Sequence, residues 1–530
     1  MKRLERMEMS PQQLDELISR MEGSGIAEVD LAAIKAMAES IKLLRSAVQE
    51  KTMSVKRVLR MLFGASTETS KNVLNHDQEE DAGKSTSTAE KSKEKKPKPK
   101  GHGRNGAADY TGAKRIVVSH KSLQAGSRCP ECPKGKVYPL KSPAAVLCLI
   151  GTAPVQATVY ELQRLRCNLC GTVFTADAPE ECGKKHDETV GSIIALLKYG
   201  GGFPFNRLEK LQGGFGIPLA ASTQWDIVNR KADAIGPAYD ELVRQAAQGK
   251  VVHNDDTTAK ILEFMNSDEP LWEEDPSRTG LFTTGILSHT DEHQIALYYT
   301  GKKHAGENMA DVLALRDIDR GPPIQMCDAL SRNLPKLFKT ILANCLSHAR
   351  RKFVDVTDYF PEESQFVLET LGEVYKHDAI AKDRHMTDEQ RLEFHQRKSG
   401  PLMNDLHEYL CDQNEQHLVE PNSSMGEAIS YMLNHWPQLV LFLTVPGAPL
   451  DNNLCEQVLK RAILHRKNSL FFKTQHGANV GDLFMSLIHT CNLNAVNPFE
   501  YLTALEQHAA ELRKHPKTWL PWNYARNLTE

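Results

Sequence analysis

The chain has no run of about 18 apolar residues of the kind that spans a bilayer. Its first stretch, MKRLERMEMSPQQLDEL, is charged and helical, without the apolar core of a secretory leader. A cytoplasmic protein is the expectation. A disulfide framework is also missing, because 11 cysteines are an odd number scattered over 530 residues, which suits reduced thiols or metal ligands. Strong net charge is missing too: 65 Lys and Arg against 68 Asp and Glu leave a formal charge of -3. That average says nothing about nucleic acid, since acidic and basic regions on separate surfaces cancel. The length exceeds one compact core and predicts roughly three to five structural units.

The first unit, 1–74, is helical. Ile34, Ile41, Val48, Val55 and Leu62 repeat every seventh residue, with Met37, Leu44 and Val58 in the second seam and Lys51 as the one interruption. This is a coiled-coil pattern and predicts self-association. From 75 to 118 the composition collapses into NHDQEEDAGKSTSTAEKSKEKKPKPKGHGRNG, too poor in apolar residues to repay ordering. It reads as a disordered linker whose basic second half could touch phosphates.

Residues 119–186 hold two Cys-x-x-Cys knuckles, Cys129 with Cys132 and Cys167 with Cys170, separated by strand-like sequence. Four thiolates at such spacing match a zinc ribbon, a closed structural site with no open position for catalysis. The gap between knuckles is long for a ribbon, so Cys182 and His186 stand as alternative ligands. The stretch 187–249 is helical. In FPFNRLEKLQGGFGIPLAASTQWDIVNRKAD a helix from about Asn206, a glycine turn and a second helix bearing Gln224, Asn229, Arg230 and Lys231 allow a helix-turn-helix reading. Such helix pairs also occur in proteins that never meet DNA.

From 250 to 500 the pattern becomes strand-rich. VVHNDDTTAKIL, GLFTTGILSHT and HQIALYYTG are three successive strands, followed by a helix (GENMADVLAL), a strand (PIQMCDAL), a helix (NLPKLFKTI) and a strand-like NCLSHARRKF. That order is the order of the ribonuclease H fold, a mixed α/β sheet flanked by helices. A polar helical insertion is expected at about 355–444, and a C-terminal tail at 501–530. Asp255 and Asp256 are neighbours on the first strand, so alternation sends them to opposite faces and one at most enters a shared pocket. Asp328 ends the fourth strand. Glu456 lies on a helix over 450–467, with Leu454, Val458 and Ala462 as its apolar stripe.

Carboxylates converging from separate elements can hold two divalent ions about 4 Å apart for in-line phosphoryl displacement. Magnesium or manganese suits such all-oxygen ligands. Arg350, Arg351, Lys352, Lys460, Arg461, Arg466, Lys467 and Lys473 flank the acids and suit a phosphodiester backbone.

The runs HNDDTTAKIL, NCLSHARRKF, LDNNLCEQVLKRAILHRKNSLFF and WLPWNY resemble the signatures of bacterial transposases of the insertion sequence sixty-six family. The order of the upstream regions resembles that family as well. The resemblance implies an aspartate-aspartate-glutamate triad on a ribonuclease H-like domain, an upstream zinc-binding domain, DNA ends and target DNA as partners, and accessory proteins of the same element. Laid on the family's His-x-Asp-Glu-Thr motif, His253 to Thr257 selects Asp255 as the metal ligand beside Asp328 and Glu456. The chain departs from the pattern at Asp256, where Glu is usual, at Ala329, which lacks the usual aromatic, and at Leu346-Ser347 in place of Trp-Ala. The reaction implied is cleavage at element ends and 3′-hydroxyl strand transfer. The rivals are a decayed DNA-binding repressor and a plain nuclease of the same fold.

Overall fold

The structure, a computed structural model, describes residues 124–127, 136–138, 152–166, 173–180, 184–266, 271–272, 278–416 and 418–528. The expected coiled coil, the linker and all four knuckle cysteines lie outside the described residues, as does Cys182. A small antiparallel pair, β1 (Arg164–Arg166) and β2 (Val173–Thr175), stands in the region of the expected ribbon.

Helix α1 (Glu188–Ala195) starts where Asp187 accepts hydrogen bonds from the N–H groups of Thr189 and Val190, a capping arrangement that satisfies otherwise orphaned donors. Helices α2 (Phe205–Gly214) and α3 (Ala221–Ala246) flank the glycine turn. On α3, Val228, Ile235 and Leu242 recur every two turns and are fully buried. Two of the residues expected to read DNA from this helix face inward. Gln224 donates to the carbonyls of Leu219 and Phe205, and the buried Lys231 pairs with Glu506 at 2.5 Å. The helix is spent on packing along that face.

The main sheet runs β5-β4-β3-β6-β7, with β3 (Val251–Thr258), β4 (Phe282–His289) and β5 (Gln294–Gly301) antiparallel. β6 (Ile324–Cys327) and β7 (Ile341–Asn344) join parallel to β3. The molecule is thus a mixed α/β protein with a mixed sheet and many helices. Helix α4 (Ala305–Leu313) follows β5, and α5 (Leu346–Val356) follows β7.

Two sequence expectations fail here. NLPKLFKTI is not a helix: a 3-10 turn at Ser331–Asn333 and further turns carry the chain past Pro335, whose ring restrains the residue before it from helical geometry. NCLSHARRKF is not a strand beyond Asn344. From Leu346 it is α5, with Ala349 and Phe353 one turn apart and both buried, the spacing of a helix facing its core.

Helices α6 (Pro361–Asp383), α7 (Asp388–Glu415) and α8 (Ser424–Asn434) lie between α5 and α9 (Asn453–Ser469). With β6, β7 and α5 they enclose one apolar core, including Phe353, Leu371, Met403 and Phe442. A second core joins α1–α3 to β3–β5, α10 (Gln475–Leu493) and α11 (Pro498–Gln507), around Leu242, Tyr298, Phe484 and Tyr501. The site lies where β3 and β6 meet, between these two cores.

Candidate active site

β3 and β6 pair only from Val251–Ile324 to His253–Met326. Beyond that point β3 continues against β4 alone, and β6 ends at Cys327. Asp255 and Asp328 therefore stand just past the last paired residues of two adjacent parallel strands, on the side of the carboxyl ends, where open α/β sheets leave a crevice. Glu456 arrives from above on α9. Asp255 is paired in register with Gly285 on β4, and a Cβ on that glycine would meet Leu459 of α9 at 3.0 Å. The absent side chain lets α9 lie close to the strand, and Cys455 donates to the Gly285 carbonyl at 3.4 Å. The inward stripe of α9 is Cys455, Val458, Leu459 and Ala462. Leu454, expected on that stripe, is 44% exposed; the helix is turned by about one position from the sequence reading.

The neighbouring aspartates have opposite surroundings. The Asp256 side chain is 1% exposed and lies 3.1 Å from His304 Nδ1 and 3.3 Å from Arg332 Nη2. Asp255 has no cationic partner of this kind among the described residues. Its Oδ1 accepts from the Asp256 N–H at 2.8 Å. Burial, and then the charges of Asp328, Asp256 and Glu456, push its carboxyl up to about 7 despite that hydrogen bond. Asp328 is also pushed up by burial, with His348 and Arg332 opposing. Glu456 Oε1 is buried with no hydrogen-bond partner and lies 3.8 Å from His348 Nε2. Mutually felt, undercompensated carboxylates favour protonation or a cation.

A buried amide network holds the acids in place, and sequence reasoning missed it. Asn254 donates to the Asn333 carbonyl at 2.8 Å, Gln325 donates to Asn254 Oδ1 at 2.9 Å, and Asn333 Nδ2 donates to Asp328. Asn452, just ahead of α9, bonds the His253 ring at 3.0 Å and donates to the Asn254 carbonyl at 3.3 Å. Burial pushes the His253 imidazole down to about 3, so it is neutral at physiological pH. It ties the start of the Glu456 helix to the Asp255 strand. The amides gave no signal because their partners are far away in sequence, up to 199 residues for His253 and Asn452; only the alternation of β3, which sends His253 to the same face as Asp255, pointed at it.

The flanking bases divide. Lys460, Arg461 and Lys467 are exposed along α9, and Arg350 and Arg351 are half-buried on α5. Lys352 lies over the Tyr431 ring at 4.5 Å. Arg466 clamps the strand end: its Nη1 donates to Thr257 Oγ1 at 3.2 Å, to Thr258 Oγ1 at 2.7 Å and to the Thr258 carbonyl. Among the described residues, no three His, Cys, Asp or Glu side chains form a ready-made metal cage. The all-carboxylate donor set and the orphaned Glu456 oxygen nevertheless fit a hard divalent cation.

Asp255 and Asp328 thus lie at the centre of a mixed α/β sheet, with Glu456 and exposed lysines on the helix that covers it. The particular family follows from comparison. The model of the Transposase IS66 family matches residues 186–480, more than half of the chain, and the chain belongs to that family. The chain is also similar to two proteins of Sinorhizobium fredii. Uncharacterized protein y4hP is 27% identical over 392 residues, 69% of this chain and 67% of that protein. Uncharacterized protein y4jD is 25% identical over 446 residues, 80% of this chain and 83% of that protein. No helix among the described residues is long and apolar enough to cross a membrane.

Proposed function

We propose that the chain is a DNA transposase whose ribonuclease H-like domain cuts the phosphodiester at the ends of its element and joins the freed 3′-hydroxyl to target DNA. The observation that carries this reading is the Asp255 carboxyl, raised by burial and by the charges of Asp328 and Glu456 just past the last paired residues of β3 and β6, together with a Glu456 oxygen buried without a hydrogen bond. Divalent ions held by these acids, magnesium or manganese, would supply Lewis acidity at the attacking and leaving oxygens.

The chain's own residues supply the rest. The amide network through Asn333 fixes the Asp328 carboxylate, and Asn452 with His253 fixes the entry of α9. Lys460, Lys467, Arg350 and Arg351 draw in the phosphate backbone, and Arg466 adds its charge while clamping β3. In the first step a water oxygen attacks phosphorus, the bond from phosphorus to the 3′-oxygen breaks, and that oxygen leaves as a hydroxyl. In the second, the same hydroxyl attacks a target phosphodiester, so bonds exchange without an external energy source. Upstream, Cys129, Cys132, Cys167 and Cys170 are assigned to a structural zinc and the heptads to self-association; accessory proteins of the element remain part of the reading.

The test is incubation of full-length protein with duplex bearing the element's terminal repeat, with magnesium or with chelator. Nicks ending in a 3′-hydroxyl, dependent on magnesium, are the expected product. Sequence-specific binding with no cutting in any divalent metal would leave a DNA-binding repressor instead.

A further inference from the structure

The turn that ends α9 has a construction the chemistry above does not use. Leu470 stands at φ 65°, ψ -45°, and the Phe471 N–H donates to the Ser469 carbonyl at 2.8 Å. These close a γ-turn centred on leucine, a form that is rare and strained for a residue with a Cβ. Such a backbone persists only where its surroundings impose it. Here Arg466 fastens the helix end to Thr257 and Thr258. Beyond the turn, the Phe472 N–H donates to the Lys260 carbonyl and the Phe472 carbonyl accepts from Leu262 N–H, both at 2.9 Å.

Held at both sides, the turn presents apolar groups to solvent. Leu470 is 62% exposed and Phe471 41%. Both residues also border a cavity, shared with Thr258, His465, Arg466 and Phe472, of about 20 Å³, room for about one water and not for a side chain. Exposed Lys467 and Lys473 bracket the pair, and Lys460 and Arg461 continue the charge along α9. The β3 residue clamped to this turn, Thr258, is three positions past Asp255.

We propose that Leu470 and Phe471 form an apolar wedge that enters a base step of duplex DNA beside the scissile phosphate, with Lys467 and Lys473 on the flanking backbone. The inference rests on the transposase reading for its substrate. Leucine and phenylalanine are residue types that unstack base steps when inserted, and the lysine flank selects a polyanion over a second protein surface. The strained turn keeps the wedge pointing out before DNA arrives, so little ordering is left for the moment of binding.

The experiment uses full-length protein and terminal-repeat duplex carrying the fluorescent base aminopurine at the nucleotides flanking the cut. Wild type should raise the fluorescence by unstacking the base. The Leu470→Ser/Phe471→Ser variant should leave it flat while its affinity falls less than about tenfold. A mismatch placed at that step should restore the variant's cutting, because the step is already unstacked. Leu470→Gly guards against misfolding: glycine accepts positive φ, so it should melt no lower than wild type and still lose most of the fluorescence rise. Equal fluorescence with wild type and the double variant overturns the wedge, as does a cutting defect that is the same on paired and mismatched DNA. A change in oligomeric state with base unstacking intact would also overturn it, and would assign the pair to a second copy of the chain. Unstacking by a wild type that never cuts would sink the transposase reading and leave the wedge standing.

Discussion

Two faces of one strand end carry adjacent aspartates, and they have been treated in opposite ways. On one face Asp256 is enclosed and paired with His304 and Arg332. On the other, Asp255 has no cationic partner among the described residues, and burial, with the charges of Asp328, Asp256 and Glu456, lifts it to about 7. A carboxylate given its counter-charges by the chain serves the fold; one left without them is free to take a proton or, in the function proposed above, a cation. The same strand supplies both because its side chains alternate.

The comparison can be broken most sharply on the acidic face. Asp328→Asn and Glu456→Gln should each lower magnesium-dependent cleavage by more than about a hundredfold, since even the supporting partners of metal-holding groups cost about ten- to a hundredfold. Single-turnover cutting of the terminal repeat measures this. Asn452→Ala, which removes a supporting partner, should cost about tenfold in the same assay and lower stability by about 1 kcal/mol through the stranded His253 ring.

A stability measurement sharpens the contrast without substrate. The folded Asp255 carboxyl lies above its ordinary value of 3.8, at about 7, so between these values the folded chain holds a proton that the unfolded chain has lost. Its contribution to stability falls as pH rises through that window. In chelator, Asp255→Asn should therefore match wild type near about pH 4 and exceed it near about pH 8 by on the order of 2 kcal/mol, as urea unfolding would show. The smallest effect belongs to the paired face. Arg332→Ala should lower stability by only about 1 kcal/mol, because the arginine side chain is 44% exposed and screened by water.

Much of the sheet was legible because strand alternation and turn residues are local. The three leading strands, the helix over Ala305–Leu313 and the strand ending before Asp328 follow the patterns expected of them. The errors fall where local pattern and tertiary packing part company. In NLPKLFKTI the apolar spacing is helical, yet Pro335 and the short crossing from β6 to β7 leave only turns. Gln224 and Lys231 are polar and were read as exposed, yet each finds partners that let it be buried, the carbonyls of Leu219 and Phe205 for Gln224 and Glu506 for Lys231. The amides around Asp328 and Asn452 were invisible for the same reason, since His253 and Asn452 are 199 residues apart in the chain. The choice between Asp255 and Asp256 depended on the resemblance to a family; the geometry now adds an independent asymmetry between them.

That asymmetry is most directly tested by setting Asp255→Asn against Asp256→Asn in one cleavage assay, with full-length protein, magnesium and terminal-repeat duplex. Asp255→Asn should show no detectable cutting, and Asp256→Asn should cut within about tenfold of wild type after correction for its folded fraction. A dead Asp256→Asn beside an active Asp255→Asn would contradict that asymmetry.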